Sequence, residues 1–264
     1  MSDSREFETI LFEIDEDGIA TVTLNRPESL NAFDHAMVDE FSRLWKIVKQ
    51  DNSILAVVLQ AAGDRAFSTG ADVKKGGYAD PSLYPFNQDD PGQHLGPKSN
   101  KVWKPIICAV HGMCAGGAFY WLNESDIIIC SPEATFFDPH VTFGLVAAVE
   151  PTGALARIPL AEVVRMSLLG NDERMSAETA LRISLVTEIV PHENLNARAK
   201  ELAGIIAKKH PVAIEGTVLA LWEALDHTHS AGVRNALRYC LLGNPITKAD
   251  VDRKAVPKAK WTLR

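Results

Sequence analysis

Hydrophobic and polar positions alternate near the N-terminus, and this pattern favours β-strands. The stretch FETILFEIDEDGIATVTLNRP is broken by the turn signal Asp15-Glu-Asp-Gly18, so it predicts a hairpin. Over residues 33–50 apolar residues recur every three or four positions, which predicts a helix with Asp34 as its N-terminal cap. The apolar positions of that helix are Met37, Phe41, Leu44, Trp45 and Val48.

Three continuous apolar runs, ILAVVLQAAG, KPIICAV and DIIIC, have the character of strands buried on both faces. Helical segments lie between such strands, which predicts an α/β fold with parallel pairing. Residues 75–100 are rich in Gly, Pro and Asp, and a loop of this length is usually functional or mobile. Its aromatic residues suggest that it covers an apolar substrate; they are Tyr78, Tyr84 and Phe86.

After Pro151 the chain is predicted to be mainly helical. Helices are expected at 161–169, after the cap Ser176, at 194–210 and at 212–229, with Pro211 dividing the last two. The stretch VTEIV predicts one short strand. A shift in composition near Leu160 marks a helical C-terminal part. The predicted division is a core over residues 1–200 and a helical C-terminal subdomain over residues 201–264.

Composition and charge narrow the function. The 264 residues are 46% hydrophobic and carry a net charge of −7, which argues against a general nucleic-acid binder. The four cysteines have no metal-site spacing, so no metal is expected, and three of them lie in apolar runs. No apolar run approaches ~20 residues, and the N-terminus is polar, so neither a membrane span nor a signal peptide is expected and the location is predicted to be cytoplasmic.

Small residues follow two of the predicted strands, in AFSTGADVK and CAGGAFYW. At the carboxyl ends of parallel strands, such residues allow backbone N–H groups to point at a ligand oxygen. Two N–H groups that converge on one carbonyl would form an oxyanion hole. Close packing of a helix on a strand explains the same residues without any chemistry, so the spacing alone leaves both interpretations open.

Several motifs in register resemble the crotonase superfamily, also called the enoyl-CoA hydratase/isomerase family. They are LNRPESLNAF, AFSTGADVK, KPIICAVHGMCAGGAFYW, SDIIICSPEATF and LLGNDERMSAETALRISLVTEIV. The resemblance implies a ββα spiral with a helical C-terminal trimerisation region, in a homotrimer or a dimer of trimers. It also implies an acyl-CoA substrate whose thioester oxyanion is stabilised, with no separate cofactor because CoA is part of the substrate.

The resemblance also implies positions for the site. The oxyanion hole would be the backbone N–H groups of Ala71 and Gly117. The stretch Ala71-Asp72-Val73-Lys74 would run along the CoA part of the substrate. Lys258 and Lys260 could meet a CoA phosphate, although a solvated tail explains them equally well.

The sequence departs from the hydratase pattern where that pattern has two glutamates. By resemblance, the first position is occupied by Tyr120 and the second by His140. Two carboxylates that flank a water can deliver hydroxide and a proton together, and this pair of residues cannot do so in the same way. Efficient hydration of simple short enoyl-CoA esters is therefore expected to be absent or poor.

Three side chains are candidates for proton transfer: His140, Glu150 and Tyr120. His140 titrates near neutral pH, although it could instead hydrogen-bond a helix end. Glu150 could orient His140 or could only satisfy a helix N-terminus, and Asp138 is an alternative partner for the imidazole. Tyr120 could donate a hydrogen bond or could be a wall of the acyl pocket with its aromatic neighbours.

The motifs therefore predict an acyl-CoA enzyme of the hydratase/isomerase type. Two alternatives within the enzyme class are a double-bond isomerase and a hydrolase or lyase of a C–C bond, each using His140 or Glu150. A third alternative is a non-catalytic acyl-CoA-binding scaffold. The scaffold alternative is favoured if the side chains of His140 and Glu150 both point away from the thioester site.

Overall fold

A computed structural model describes residues 6–75, 89–256, 261 and 263. The chain divides into two compact units, Met1–Ala207 and Lys208–Arg264. The predicted boundary, between residues 200 and 201, falls inside the last helix of the first unit, His192–Ala207. That helix packs on the strands of the first unit, which is why it belongs there.

The first unit contains the strands and most of the short helices. Its strands are β1 (Ile10–Ile14), β2 (Ile19–Leu24), β3 (Ala56–Ala61), β4 (Ala66–Ser68), β5 (Ile106–Val110), β6 (Met113–Ala115), β7 (Ile127–Cys130), β8 (Thr135–Phe137), β9 (Met175–Ser176) and β10 (Glu188–Ile189). Its helices are α1 (His35–Gln50), α2 (Gly92–Leu95), α3 (Phe119–Asn123), α4 (Val149–Ala154), α5 (Leu160–Leu169), α6 (Ala177–Arg182) and α7 (His192–Ala207). The second unit contains α8 (Pro211–Ala224) and α9 (His229–Asp250).

The strands form two sheets that the chain visits alternately. The larger sheet has the order β1-β2-β3-β5-β7-β10 and the smaller has the order β4-β6-β8-β9. From β3 to β8 each strand of the larger sheet is followed by one of the smaller, so the chain advances as a spiral. The pairings β2–β3, β3–β5, β5–β7, β4–β6 and β6–β8 are parallel, which confirms the predicted α/β class.

The central strands are buried on both faces because each face is covered by a different helix. Val57 and Leu59 of β3 belong to the cluster that contains α1, whereas Ala56 and Val58 belong to the cluster that contains α7. All the residues of β5 are buried. This two-sided burial explains why these strands are continuous apolar runs.

Several predicted elements are confirmed. β1 and β2 pair antiparallel across the predicted turn, and the side chain of Asp34 caps α1 by accepting from the Met37 N–H at 3.1 Å. Ser176 caps α6 by accepting from the Thr179 N–H. Within the predicted 75–100 loop, residues 76–88 and their three aromatic side chains lie outside the described residues.

The helix predicted at 212–229 is wrong at its C-terminal end. α8 ends at Ala224, and a further helix, α9, begins at His229 and was not predicted. α9 contains Pro245 and has no clear apolar stripe, so its sequence has little helical signal.

The second unit is a helical hairpin, and the helical character predicted for the C-terminal part is confirmed. His210 Nε2 lies 3.1 Å from Asp250 Oδ2 at one end. Near the other, the Tyr239 hydroxyl donates to Glu223 at 2.8 Å. No helix within the described ranges is both long and apolar enough to cross a membrane.

Candidate active site

The two glycine-rich junctions that follow β4 and β6 lie side by side, because these strands are parallel neighbours. Gly70 has a φ of +82°, and a Cβ built on it would lie 2.6 Å from the backbone nitrogen of Gly117. A Cβ on Gly117 would lie 2.5 Å from Cε1 of Phe33 and 3.4 Å from Cα of Gly70. The glycines are therefore needed for close approach of two backbones, and the structure brings Ala71 and Gly117 into one site.

Ala71 is held by the residues on either side of it. The Phe33 N–H donates to the Gly70 carbonyl and the Asp72 N–H donates to the Phe33 carbonyl, both at 2.8 Å. The Asp72 carboxylate accepts from the Arg26 guanidinium at 2.8 Å, with both side chains buried. This ion pair ties the oxyanion-hole candidate Ala71 to the end of β2.

The predicted CoA-binding stretch has one buried and two exposed side chains. Asp72 is 7% exposed and is engaged by Arg26. Val73 and Lys74 are exposed, in a 3₁₀ turn that directly follows. Lys258 and Lys260 lie outside the described residues. A role of this stretch in CoA binding stays a prediction.

His140 begins a 3₁₀ turn three residues after the end of β8 and is oriented by Asp138. Its Nδ1 lies 2.6 Å from Asp138 Oδ1, and its backbone N–H donates to the same oxygen at 3.0 Å. Asp138 is fully buried. The pKa of His140 is raised, chiefly by this hydrogen bond, against the opposing effect of burial. The other ring nitrogen, Nε2, is not engaged by Asp138 and is the one that could give or take a proton.

Glu150 faces the other nitrogen of the imidazole. Its Oε1 lies 3.8 Å from His140 Nε2, and the residue is only 7% exposed, in the first turn of α4. Burial raises the pKa of Glu150, and the charges of Asp138 and Asp90 add to the rise while His140 opposes it. His140 and Glu150 thus form a close pair of titratable groups.

The His140 member of that pair lies near the glycine junction. A Cβ built on Gly116 would lie 3.7 Å from Cε1 of His140. On the far side, the Asn123 side chain donates to the Glu150 carbonyl at 2.9 Å, which fixes the start of α4 against α3. The imidazole is therefore beside the Gly116-Gly117 backbone and does not point away from it.

Tyr120 is buried and its hydroxyl donates to Asp90 Oδ2 at 2.9 Å. Its pKa is raised, chiefly by burial and then by the charges of Glu150 and Asp90. Tyr120 therefore takes part in a hydrogen bond to Asp90, and a role in proton transfer stays a prediction. Its neighbour Trp121 is fully buried in the core, in ring contact with Phe41 and Phe67, so it packs the interior.

Sequence reasoning did not identify Asp90 as a site residue. It lies in the stretch NQDDPGQ, within the long loop for which a function was predicted. The Asp-x-Gly spacing was the available signal, because the Asp90 side chain accepts from the Gly92 N–H at 2.8 Å. Over the described ranges, no group of three or more His, Cys, Asp or Glu side chains is arranged to hold a metal ion.

Comparison with known proteins identifies the family. Residues 15–256 match the family model described as enoyl-CoA hydratase/isomerase. The chain belongs to the enoyl-CoA hydratase/isomerase family. This confirms the membership that the motifs predict, and with it an enzyme that acts on CoA thioesters.

Individual members of the enoyl-CoA hydratase/isomerase family are also similar to the chain. It is 36% identical over 200 residues to the (E)-benzylidenesuccinyl-CoA hydratase of Thauera aromatica, covering 75% of this chain and 77% of that protein. It is 32% identical over 204 residues to the short-chain-enoyl-CoA hydratase of Clostridium acetobutylicum, covering 75% of each. A crystal structure of an enoyl-CoA hydratase/isomerase from Mycobacterium paratuberculosis superposes with a TM-score of 0.82 at 37% identity, covering 89% of this chain and 90% of that one. The crotonase-type fold is thereby confirmed.

Proposed function

We propose that this chain adds water across the double bond of an α,β-unsaturated acyl-CoA thioester, with His140 and Glu150 as the acid–base pair. The observation that carries the proposal is the 3.8 Å separation of His140 Nε2 and Glu150 Oε1 beside the glycine junction. Hydratase is the activity in the names of two similar proteins. The resemblance predicts that two glutamates are replaced, and this pair would supply the two functions that they perform.

The thioester carbonyl would accept hydrogen bonds from the Ala71 and Gly117 N–H groups. The close approach of the two backbones supports this assignment, since a Cβ built on Gly70 would lie 2.6 Å from the Gly117 nitrogen. Polarisation of the carbonyl makes Cβ of the enoyl group electrophilic, and negative charge develops on the thioester oxygen as the enolate forms.

Glu150 would act as the general base. Its carboxylate takes a proton from water while the water oxygen bonds to Cβ and the C=C electron pair moves into the enolate. Burial raises the pKa of Glu150, which makes its carboxylate a stronger base than an exposed one.

His140 would act as the general acid. Asp138 raises its pKa, which favours the imidazolium form at neutral pH. Its Nε2 proton passes to Cα as the enolate collapses, which completes the addition of one water. Glu150 then releases its proton to solvent and His140 takes one up from solvent, so that both groups are reset.

A panel of CoA thioesters read by mass spectrometry tests the proposal. The panel holds short, long and aromatic enoyl esters together with β-keto and cyclic acyl esters. Wild type should convert at least one enoyl ester of the panel to a product with one added water and intact CoA, and the simple short enoyl esters are expected to be poor substrates. His140→Ala and Glu150→Gln should each lose about 10²–10⁴-fold in rate. The exposed positions provide matched controls, His227→Ala and Glu133→Gln.

Other outcomes of the panel would replace the proposal. An isobaric product with a shifted double bond would identify an isomerase, which needs only one base. A shortened or ring-opened acyl product would identify C–C cleavage. Binding of CoA esters without any conversion would support the non-catalytic scaffold.

For the assembly, we propose a homotrimer or a dimer of trimers. The helical hairpin of the second unit exposes many apolar side chains, a surface that association of copies would cover. These include Leu221, Leu225, Val233, Leu237, Leu241, Leu242 and Ile246. Light scattering on the purified chain tests this, and a monomer at micromolar concentration would contradict it.

A further inference from the structure

Asp90 is held in one orientation by two hydrogen bonds. Its Oδ1 accepts from the Gly92 N–H at 2.8 Å and its Oδ2 accepts from the Tyr120 hydroxyl at 2.9 Å. Gly92 packs directly on the ring, since a Cβ built on it would lie 2.5 Å from Cδ1 of Tyr120. Both oxygens of Asp90 are thus satisfied, and one of them is aimed at the phenol.

The Tyr120 hydroxyl has one proton and two acidic neighbours. It donates to Asp90 Oδ2 at 2.9 Å. Its pKa is raised by burial first, and then by the charges of, and hydrogen bonding with, both Glu150 and Asp90. A single O–H cannot donate fully to two carboxylates. The geometry places this proton on the Asp90 side.

We infer that Asp90 is a positioning residue for the acid–base pair: by accepting the Tyr120 proton, it prevents this hydroxyl from donating to Glu150. The inference rests on the proposed function, in which Glu150 is the general base. A carboxylate that receives fewer hydrogen bonds is less stabilised in its charged form and is therefore a stronger base. Tyr120 itself would touch the reacting atoms only through Glu150.

Burial and the hydrogen bond from its own backbone N–H are the two largest influences on the pKa of Glu150, and four neighbouring side chains also bear on it. His140 and Asp138 come from the segment after β8, Tyr120 comes from α3, and Asp90 comes from the turn before α2. The pKa of Glu150 is raised by burial first, the two aspartates add to the rise, and His140 opposes it. Removing Asp90 should therefore lower this pKa, both by loss of its charge and by release of the Tyr120 proton.

A double-mutant cycle separates these two effects. The protonated carboxyl of Glu150 is titrated by infrared spectroscopy in the full chain, with Glu150→Gln to assign the band. Asp90→Ala should lower the Glu150 pKa strongly where Tyr120 is present and less in the Tyr120→Phe background. Asp89→Ala, at the exposed neighbouring position, should leave it unchanged. Asp90→Asn keeps an acceptor for the phenol and should have a smaller effect than Asp90→Ala.

The pH dependence of kcat for enoyl-CoA hydration gives a second readout. Because the base must be deprotonated, the acidic limb should move to lower pH in Asp90→Ala, with KM little changed. The loss in kcat should stay below the ~100-fold expected for removal of the base itself. An equal fall in the Glu150 pKa in both Tyr120 backgrounds, or no fall, would overturn the inference. The infrared titration needs no turnover, so absence of hydration by wild type would refute the proposed function separately.

Discussion

The carboxylate of Asp138 lies 2.6 Å from Nδ1 of His140 and also accepts from the His140 backbone N–H at 3.0 Å. The two residues are separated only by Pro139, so the pair is built locally and then buried as a unit. Its consequence is a fixed ring whose Nε2 faces Glu150 at 3.8 Å. Orientation of a catalytic imidazole by a buried carboxylate is a recurrent solution for proton transfer.

Asp138→Asn should lower the pKa of His140, because the hydrogen bond to Asp138 is the largest cause of its rise. His140 acts in its protonated form in the proposed hydration, so activity is lost as pH rises through its pKa. The alkaline limb of the kcat profile should therefore move to lower pH. NMR titration of the His140 ring checks the same shift without turnover. Asp172→Asn, at an exposed position, is the control, and an unmoved limb in Asp138→Asn would contradict the assignment.

Glu150→Gln should reduce kcat by ~10²–10⁴-fold with little change in KM, because it removes the proposed general base and keeps the volume of the side chain. The Asn123 bond is to the Glu150 backbone carbonyl and should survive the substitution. Steady-state kinetics on the best enoyl ester of the panel measures the effect against Glu133→Gln. Retention of kcat within about tenfold would show that another group supplies the base.

Gly117→Ala should abolish most activity while Gly216→Ala should not. A Cβ on Gly117 would meet Cε1 of Phe33 at 2.5 Å, so either the buried Phe33 ring or the backbone N–H proposed for the oxyanion hole must shift. Loss of one such donor costs about 10²–10³-fold in kcat. A Cβ on Gly216, within α8, meets nothing within 4 Å, and alanine there should be neutral or stabilise by up to about 1 kcal/mol.

Circular dichroism checks that Gly117→Ala and Gly216→Ala both fold, and steady-state kinetics compares their kcat values. Phe33→Leu, combined with Gly117→Ala, shortens the side chain that the new methyl group meets. Partial recovery of kcat in this double variant is the expected result. Full activity of Gly117→Ala alone would remove Gly117 from the site.

Arg26→Met should destabilise the first unit by about 3–5 kcal/mol, because it leaves the buried Asp72 carboxylate without its cation, whereas Asp34 keeps Lys75 at 2.6 Å. Arg26 pairs with Asp72 at 2.8 Å and with Asp34 at 3.3 Å, and the side chains of all three are at most 9% exposed. Urea unfolding measures the loss. Arg26→Met combined with Asp72→Asn should lose less than Arg26→Met alone, and an equal loss would argue against the pairing.

Much of the first unit could be predicted from local pattern. Continuous apolar runs identified β3, β5 and β7, since strands covered on both faces need no polar alternation. The three-and-four spacing with Asp34 identified α1. The motifs, taken together, identified the family. In the second unit α9 was missed, because it has little apolar periodicity and contains Pro245.

The candidate site is determined partly by the sequence and partly by the tertiary structure. The sequence by itself determined its residue types and its local units: the glycine pairs, the Asp138–His140 step and the Asp90–Gly92 turn, since each involves neighbours along the chain. Only the tertiary structure decided which of these units meet. The stacking of the spiral brings together three pairs that are distant or separate in the chain: Asp90 and Tyr120, Arg26 and Asp72, and His140 and Glu150. These contacts depend on packing between distant segments, which local periodicity does not encode. Burial and the neighbouring charges at these contacts then shift the pKa values of His140 and Glu150.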